Sequence, residues 1–105
     1  MSLDFSLMGR APVFDINITH NLCKMAQEAG IYECLWRPNH DGQRKAKDII
    51  KLLSAGLEML RANPEHFKTF NASNGWGTYE QFVPFVEKVL QACEDNPDAE
   101  IEVSV

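Results

Sequence analysis

The chain has 105 residues, the length of one ordinary domain and enough to bury a core without disulfides or a structural metal. Hydrophobic residues make up 45% and charged residues 24%, proportions of a globular chain that argue against disorder throughout. The formal charge of −5 argues against broad binding to nucleic acid or an anionic membrane, and no apolar run approaches the roughly 18 residues of a helical membrane span.

The N-terminus lacks the basic start and apolar stretch of a secretion signal, so a cytoplasmic location is expected. Met1, Ser2 and Leu3 carry little weight, because such residues can belong to an added leader. The Asn17-Ile18-Thr19 and Asn71-Ala72-Ser73 triplets fit the glycosylation pattern but read as chance matches without such a signal. Cys23, Cys34 and Cys93 are odd in number and widely spaced, which reads as free thiols, mostly buried.

Residues 3–7 alternate apolar and polar, the period of a half-buried strand. Residues 11–16 form a second short strand, interrupted by Pro12, which suits a sheet edge. A first helix starts near Asn17 or Thr19, either of which can cap it. It carries Ile18, Leu22, Met25 and Ala26 on one face and stops at Gly30. Residues 31–36 are apolar and short, fitting a helical turn or an extended segment. Pro38, Asn39, Asp41 and Gly42 mark a loop.

The second helix has the clearest pattern. Ala46, Ile49, Ile50, Leu53, Leu57 and Leu60 lie at offsets 0, 3, 4, 7, 11 and 14, an apolar stripe that predicts a helix over 44–61. A short helix follows, capped by Asn63, with Pro64 in its first position and Phe67 and Phe70 facing inward. Residues 71–77 are a loop rich in Asn and Gly. Thr78 and Gln81 have capping-box spacing and open a last helix with Phe82, Phe85, Val86, Val89, Leu90 and Cys93 inward. Pro84 predicts a kink or irregular start there. Residues 99–105 alternate as a strand, whose expected partners are the N-terminal strands. The expected architecture is α+β, one domain over 1–105, with three or four helices on a small sheet made by the two ends of the chain.

Four constellations bear on function. Asn17, Thr19, His20 and Asn21 lie at the start of helix one, where a histidine can act as general base; the preferred reading is capping, with His20 structural. Trp36, Arg37 and Pro38, with Asn71, Asn74, Trp76 and Tyr79, lie in or beside loops. Loops carry binding function more often than regular elements do. Trp76, flanked by Gly75 and Gly77, is nonetheless expected to anchor the core, leaving Arg37 as the better functional candidate. His20, Cys23, Cys34 and His40 lack standard zinc spacing, so no metal is assigned. Finally, Arg37, Arg44, Lys45, Lys47 and Lys51 outnumber Asp41 and Asp48, while the chain from Glu87 onward carries six acids against Lys88. Those two regions can pair within one molecule or between two.

The segments Asn17-Ile-Thr-His-Asn-Leu22, Met25-Ala26, Ala29-Gly-Ile-Tyr32, Leu35-Trp-Arg-Pro38, Phe70-Asn71, Asn74-Gly-Trp-Gly77 and Asn96-Pro-Asp-Ala99 cover most of the chain from Asn17 on. In these segments the sequence resembles a family of small hypothetical proteins from bacteria and their phages. The family has no known activity, so the resemblance implies a bacterial or phage cytoplasmic setting and carries over no catalytic residue. The leading functional expectation is a non-enzymatic binding or assembly module for a protein partner or small ligand. Its candidate residues are Trp36, Arg37, Asn74, Trp76 and Tyr79. One alternative is a small hydrolase or transferase with His20 as general base and Arg37 holding an anion; another is a structural homo-oligomer. No cofactor is implied.

Overall fold

The computed structural model describes residues 2–39 and 45–105. Strand β1 (Ser2–Met8) lies at the centre of an antiparallel sheet, between β2 (Pro12–Thr19) and β3 (Glu100–Ser104). The alternation in β1 sets its two faces. Leu3, Phe5 and Leu7 are fully buried; Asp4 is exposed between them. Leu7 lies opposite Phe14 on one side and Ile101 on the other, so both neighbours continue the apolar face. The opposite face carries Asp4, Asp15, Asn17 and Glu102, all exposed, as expected of an antiparallel sheet covered on one side.

Strand β2 runs three residues past its expected end at Ile16. Asn17 therefore sits in the strand and does not cap a helix. It lies opposite Asp4 in the register, and its Nδ2 donates to Asp4 Oδ1 at 2.6 Å and to Ser2 Oγ at 2.9 Å. Thr19 takes the capping role: its Oγ1 accepts the Asn21 N–H at 3.2 Å and opens a 3-10 turn at His20–Leu22.

That turn leads into α1 (Cys23–Glu28). Gly30, with φ of +77°, ends the helix in a Schellman arrangement: Gly30 N–H donates to the Gln27 carbonyl and Ile31 N–H to that of Ala26. The segment after it is helical, as α2 (Tyr32–Trp36).

The second predicted helix opens with a 3-10 turn at Ala46–Asp48 and continues as α3 (Ile50–Ala62); its expected start at Arg44 lies outside the described residues. Ala46, Ile49, Leu53, Leu57 and Leu60 are buried, and Ile50 is partly so. Asn63 closes this helix, its Nδ2 donating to the Met59 carbonyl at 3.1 Å, and also stands at the N-cap of α4 (Pro64–Lys68) ahead of Pro64, where its side chain makes no capping bond. Phe67 is buried and Phe70 half-buried.

Helix α5 (Tyr79–Asp95) runs through Pro84 without interruption. Pro84 is exposed, so water can satisfy the carbonyl that its missing N–H leaves free. Phe82, Phe85, Val86, Val89 and Cys93 are buried as their spacing predicts, and Leu90 is half-buried. The result is an α+β fold in which five α-helices, among the described residues, supply the core that covers one face of the sheet. None of these helices is long and apolar enough to cross a membrane.

Glycine at position 56 is a close-packing requirement. A Cβ there would lie 2.4 Å from Ile31 Cγ2 and 3.2 Å from the Ala29 carbonyl oxygen. Ile31 is fully buried and β-branched, so it has little freedom to yield. In an open helix Gly→Ala gains about 1 kcal/mol. Here the overpacking cost of roughly 1–3 kcal/mol works against that gain. Gly56→Ala is expected to lower stability in urea denaturation, and a stabilised variant would show that α3 and the Ala29–Ile31 turn separate easily.

A candidate binding cleft under Trp76

The loop between α4 and α5 is built by its own polar groups. Asn71 Oδ1 accepts the Tyr79 N–H at 2.7 Å, and Asn74 Oδ1 accepts the Trp76 N–H at 3.0 Å. Gln81 forms the expected capping box, with Oε1 accepting from both Gly77 and Thr78 N–H, while its Nε2 reaches the Gly75 carbonyl. Ala72 N–H closes the loop on the Gly77 carbonyl at 2.9 Å. Gly75 and Gly77 have φ of +78° and +118°, a region that favours glycine.

The loop docks on the end of β2. Asn21 Nδ2 donates to the Trp76 carbonyl at 2.6 Å. A Cβ on Gly77 would lie 2.9 Å from Asn21 Cβ and 3.3 Å from Thr19 Cγ2, so only glycine permits this approach.

Between the two segments lies an open cleft of about 700 Å³, within the usual size range of small-molecule sites. Ser2, Asn17, Ile18, Thr19 and Asn21 line it from the sheet side. Asn74, Trp76 and Gln81 line it from the loop side. The side chain of Trp76 is not a core anchor: the residue is 71% exposed. The loop is held by the backbone and by Asn71, Asn74 and Gln81, so the indole is free to face outward.

The other sequence candidates take different positions. Trp36 is 3% exposed. It stacks on Tyr32 at 5.6 Å and meets the His20 ring edge-on at 6.4 Å. Among the described residues His20 Nε2 and Trp36 Nε1 are both buried without a hydrogen-bond partner, and neither residue lines the cleft. Arg37 is exposed at the end of α2, away from the cleft lining. Tyr79 has a structural role, its hydroxyl donating to the Leu60 carbonyl at 2.7 Å under Lys68. Of His20, Arg37, Trp76 and Tyr79, only Trp76 lines the cleft.

In the sequence Ser2 reads as part of a leader and Gln81 only as a cap, and Asn17, Thr19 and Asn21 lie far from Asn74 and Trp76. No local pattern joins groups more than 50 positions apart; the packing of Gly77 on Asn21 brings them together.

The thiols and charges offer little reactive chemistry. Burial, with a smaller contribution from Glu94, pushes the Cys93 thiol up to about 12, and burial also raises that of Cys23. Cys34 Sγ contacts the Ile31 carbonyl. Cys23 and Cys93 are thus unlike the low-pKa thiolate of a nucleophile, and Cys34 is buried. Among the described residues no three His, Cys, Asp or Glu side chains converge as a metal site; His40 lies outside them. Lys47 pairs with Asp98 at 3.7 Å, linking the basic and acidic regions within one molecule at the exposed surface.

No protein-family model, curated protein or solved structure matches this chain.

Proposed function

We propose that this chain is a non-enzymatic binding module whose site is the cleft under Trp76. The observation that carries the reading is the exposure of Trp76 on a loop braced by its own hydrogen bonds. An exposed indole offers a partner a large flat contact area that already lies at the surface. The cleft beside it supplies several amide side chains within reach of the same partner. The enzyme alternative draws less support, because His20 does not line the cleft and burial raises the Cys23 and Cys93 thiols. The bacterial or phage cytoplasm implied by the motif resemblance is the setting we adopt for this reading.

Trp76→Ala is expected to leave stability within about 0.5 kcal/mol of the parent, as for other exposed substitutions. The parent should respond to a mixed panel of small saccharides, short peptides and nucleotides, read by amide and indole NMR shifts. The shifted resonances should cluster on Asn21, Asn74 and Trp76. A large stability loss in Trp76→Ala, or shifts confined to other surfaces, would refute the assignment.

A further inference from the structure

We propose that the cleft takes a neutral saccharide, seated with the C–H face of one ring on the Trp76 indole; this rests on the reading of the cleft as a binding site. The first argument is charge. Among the described residues no ionisable side chain lines the cleft, and the whole chain carries −5. An anionic ligand would find no counter-charge there and meets a repulsive field overall. A cationic ligand would find no carboxylate in the lining either.

The second argument is the set of polar atoms left over. Asn17 Nδ2, Asn21 Nδ2 and Asn74 Oδ1 are used within the protein. Their partners are carboxylate, hydroxyl and carbonyl oxygens for the first two and a backbone N–H for the third. Those partners fix the orientation of each amide. Asn17 Oδ1 and Asn21 Oδ1 are therefore left as acceptors and Asn74 Nδ2 as a donor, free of protein partners among the described residues. Sugar hydroxyls both donate and accept, so one polyol can serve both kinds of site.

The third argument is the ring. The exposed Trp76 offers a flat apolar ring with a negative π-face, complementary to the C–H groups of a pyranose. A peptide added along the open edge of β2 is the competing occupant. Pockets for alternate side chains would give such a peptide its specificity, and on the sheet side the cleft offers an apolar one only Ile18 among amides and hydroxyls.

The test is titration of the full chain with malto-, cello- and chitohexaose, with polygalacturonate as the acidic control and an unbiased hexapeptide mixture as the competing class. We expect one neutral series to shift the Trp76 indole and the Asn21 and Asn74 side-chain amide resonances, and polygalacturonate to leave them unmoved. Trp76→Ala should weaken that binding by about tenfold or more, the scale of one lost aromatic contact. Trp76→Phe, which keeps a stacking face, should retain most of it. Shifts at these resonances from peptides and from no saccharide would overturn the ligand class while leaving the binding site standing. Saccharide binding indifferent to Trp76→Ala would overturn the proposed seat. No shift at the cleft from any probe would overturn both this inference and the reading it rests on.

Discussion

Removal of residues 99–105 is expected to abolish cooperative folding. β3 pairs with β1 from Asp4↔Ser104 to Met8↔Glu100, so its loss strips β1 of one whole ladder. Ile101 and Ala99 are buried in the core, and their removal opens the apolar face of β1 to water. The same segment holds the start of the second predicted helix: Ala46 N–H donates to the Ala99 carbonyl at 2.9 Å, and Lys45 bridges to Glu100. What remains of the sheet is a single hairpin, which is marginal in water. Ladder bonds at about 1 kcal/mol each and the buried Ile101 side chain at about 1.5–3 kcal/mol together exceed roughly 5 kcal/mol. That is the scale of a small domain's entire stability. Thermal melting by circular dichroism checks it, and a truncated chain that melts at the parent's temperature would show that β1 and β2 suffice.

Leu53→Ala is expected to cost about 2–5 kcal/mol. Leu53 is fully buried in α3, on the stripe that faces the core. α3 and α5 are in extensive contact, and buried Phe82, Phe85 and Val89 line the inner side of α5. Truncation removes apolar contact and leaves a cavity that two packed helices can close only in part. The helix itself should survive, because alanine is the better helix former. The expected result is therefore native far-UV ellipticity at low temperature with a lowered urea midpoint. A loss below roughly 1 kcal/mol would mean that the helices collapse freely around the gap.

The elements were legible where a periodic pattern is long. The alternation of Leu3, Phe5 and Leu7, the stripe from Ala46 to Leu60 and the Thr78–Gln81 box each appear where the sequence places them. Their physics is local: side-chain direction follows the backbone period, so the buried face can be read from spacing. The same holds for Gly30, whose positive φ ends α1. Spacing is less decisive where a polar residue has two local uses. Asn17 and Thr19 both suit the first cap, and the fold gives it to Thr19 while Asn17 faces Asp4 across a strand pair. Asn63 does stand at the N-cap of α4, but its side chain turns back on Met59.

The two tryptophans show what only the tertiary structure decides. Both lie at the margin of a helix or loop among polar neighbours, and composition does not tell them apart. Trp36 is enclosed because α2 turns it inward against Tyr32 and His20. Trp76 is exposed because Asn71, Asn74 and Gln81 hold its loop through hydrogen bonds to backbone groups, so the loop keeps its shape without the indole as an anchor. The sequence by itself determined the α+β class, the joining of the chain ends in one sheet and the inward face of each long element, since these follow from the period of apolar residues along the backbone. The cleft was decided by the docking of Gly77 on Asn21 and Thr19, a contact between distant segments whose fit depends on shape in three dimensions and leaves no periodic trace in the chain.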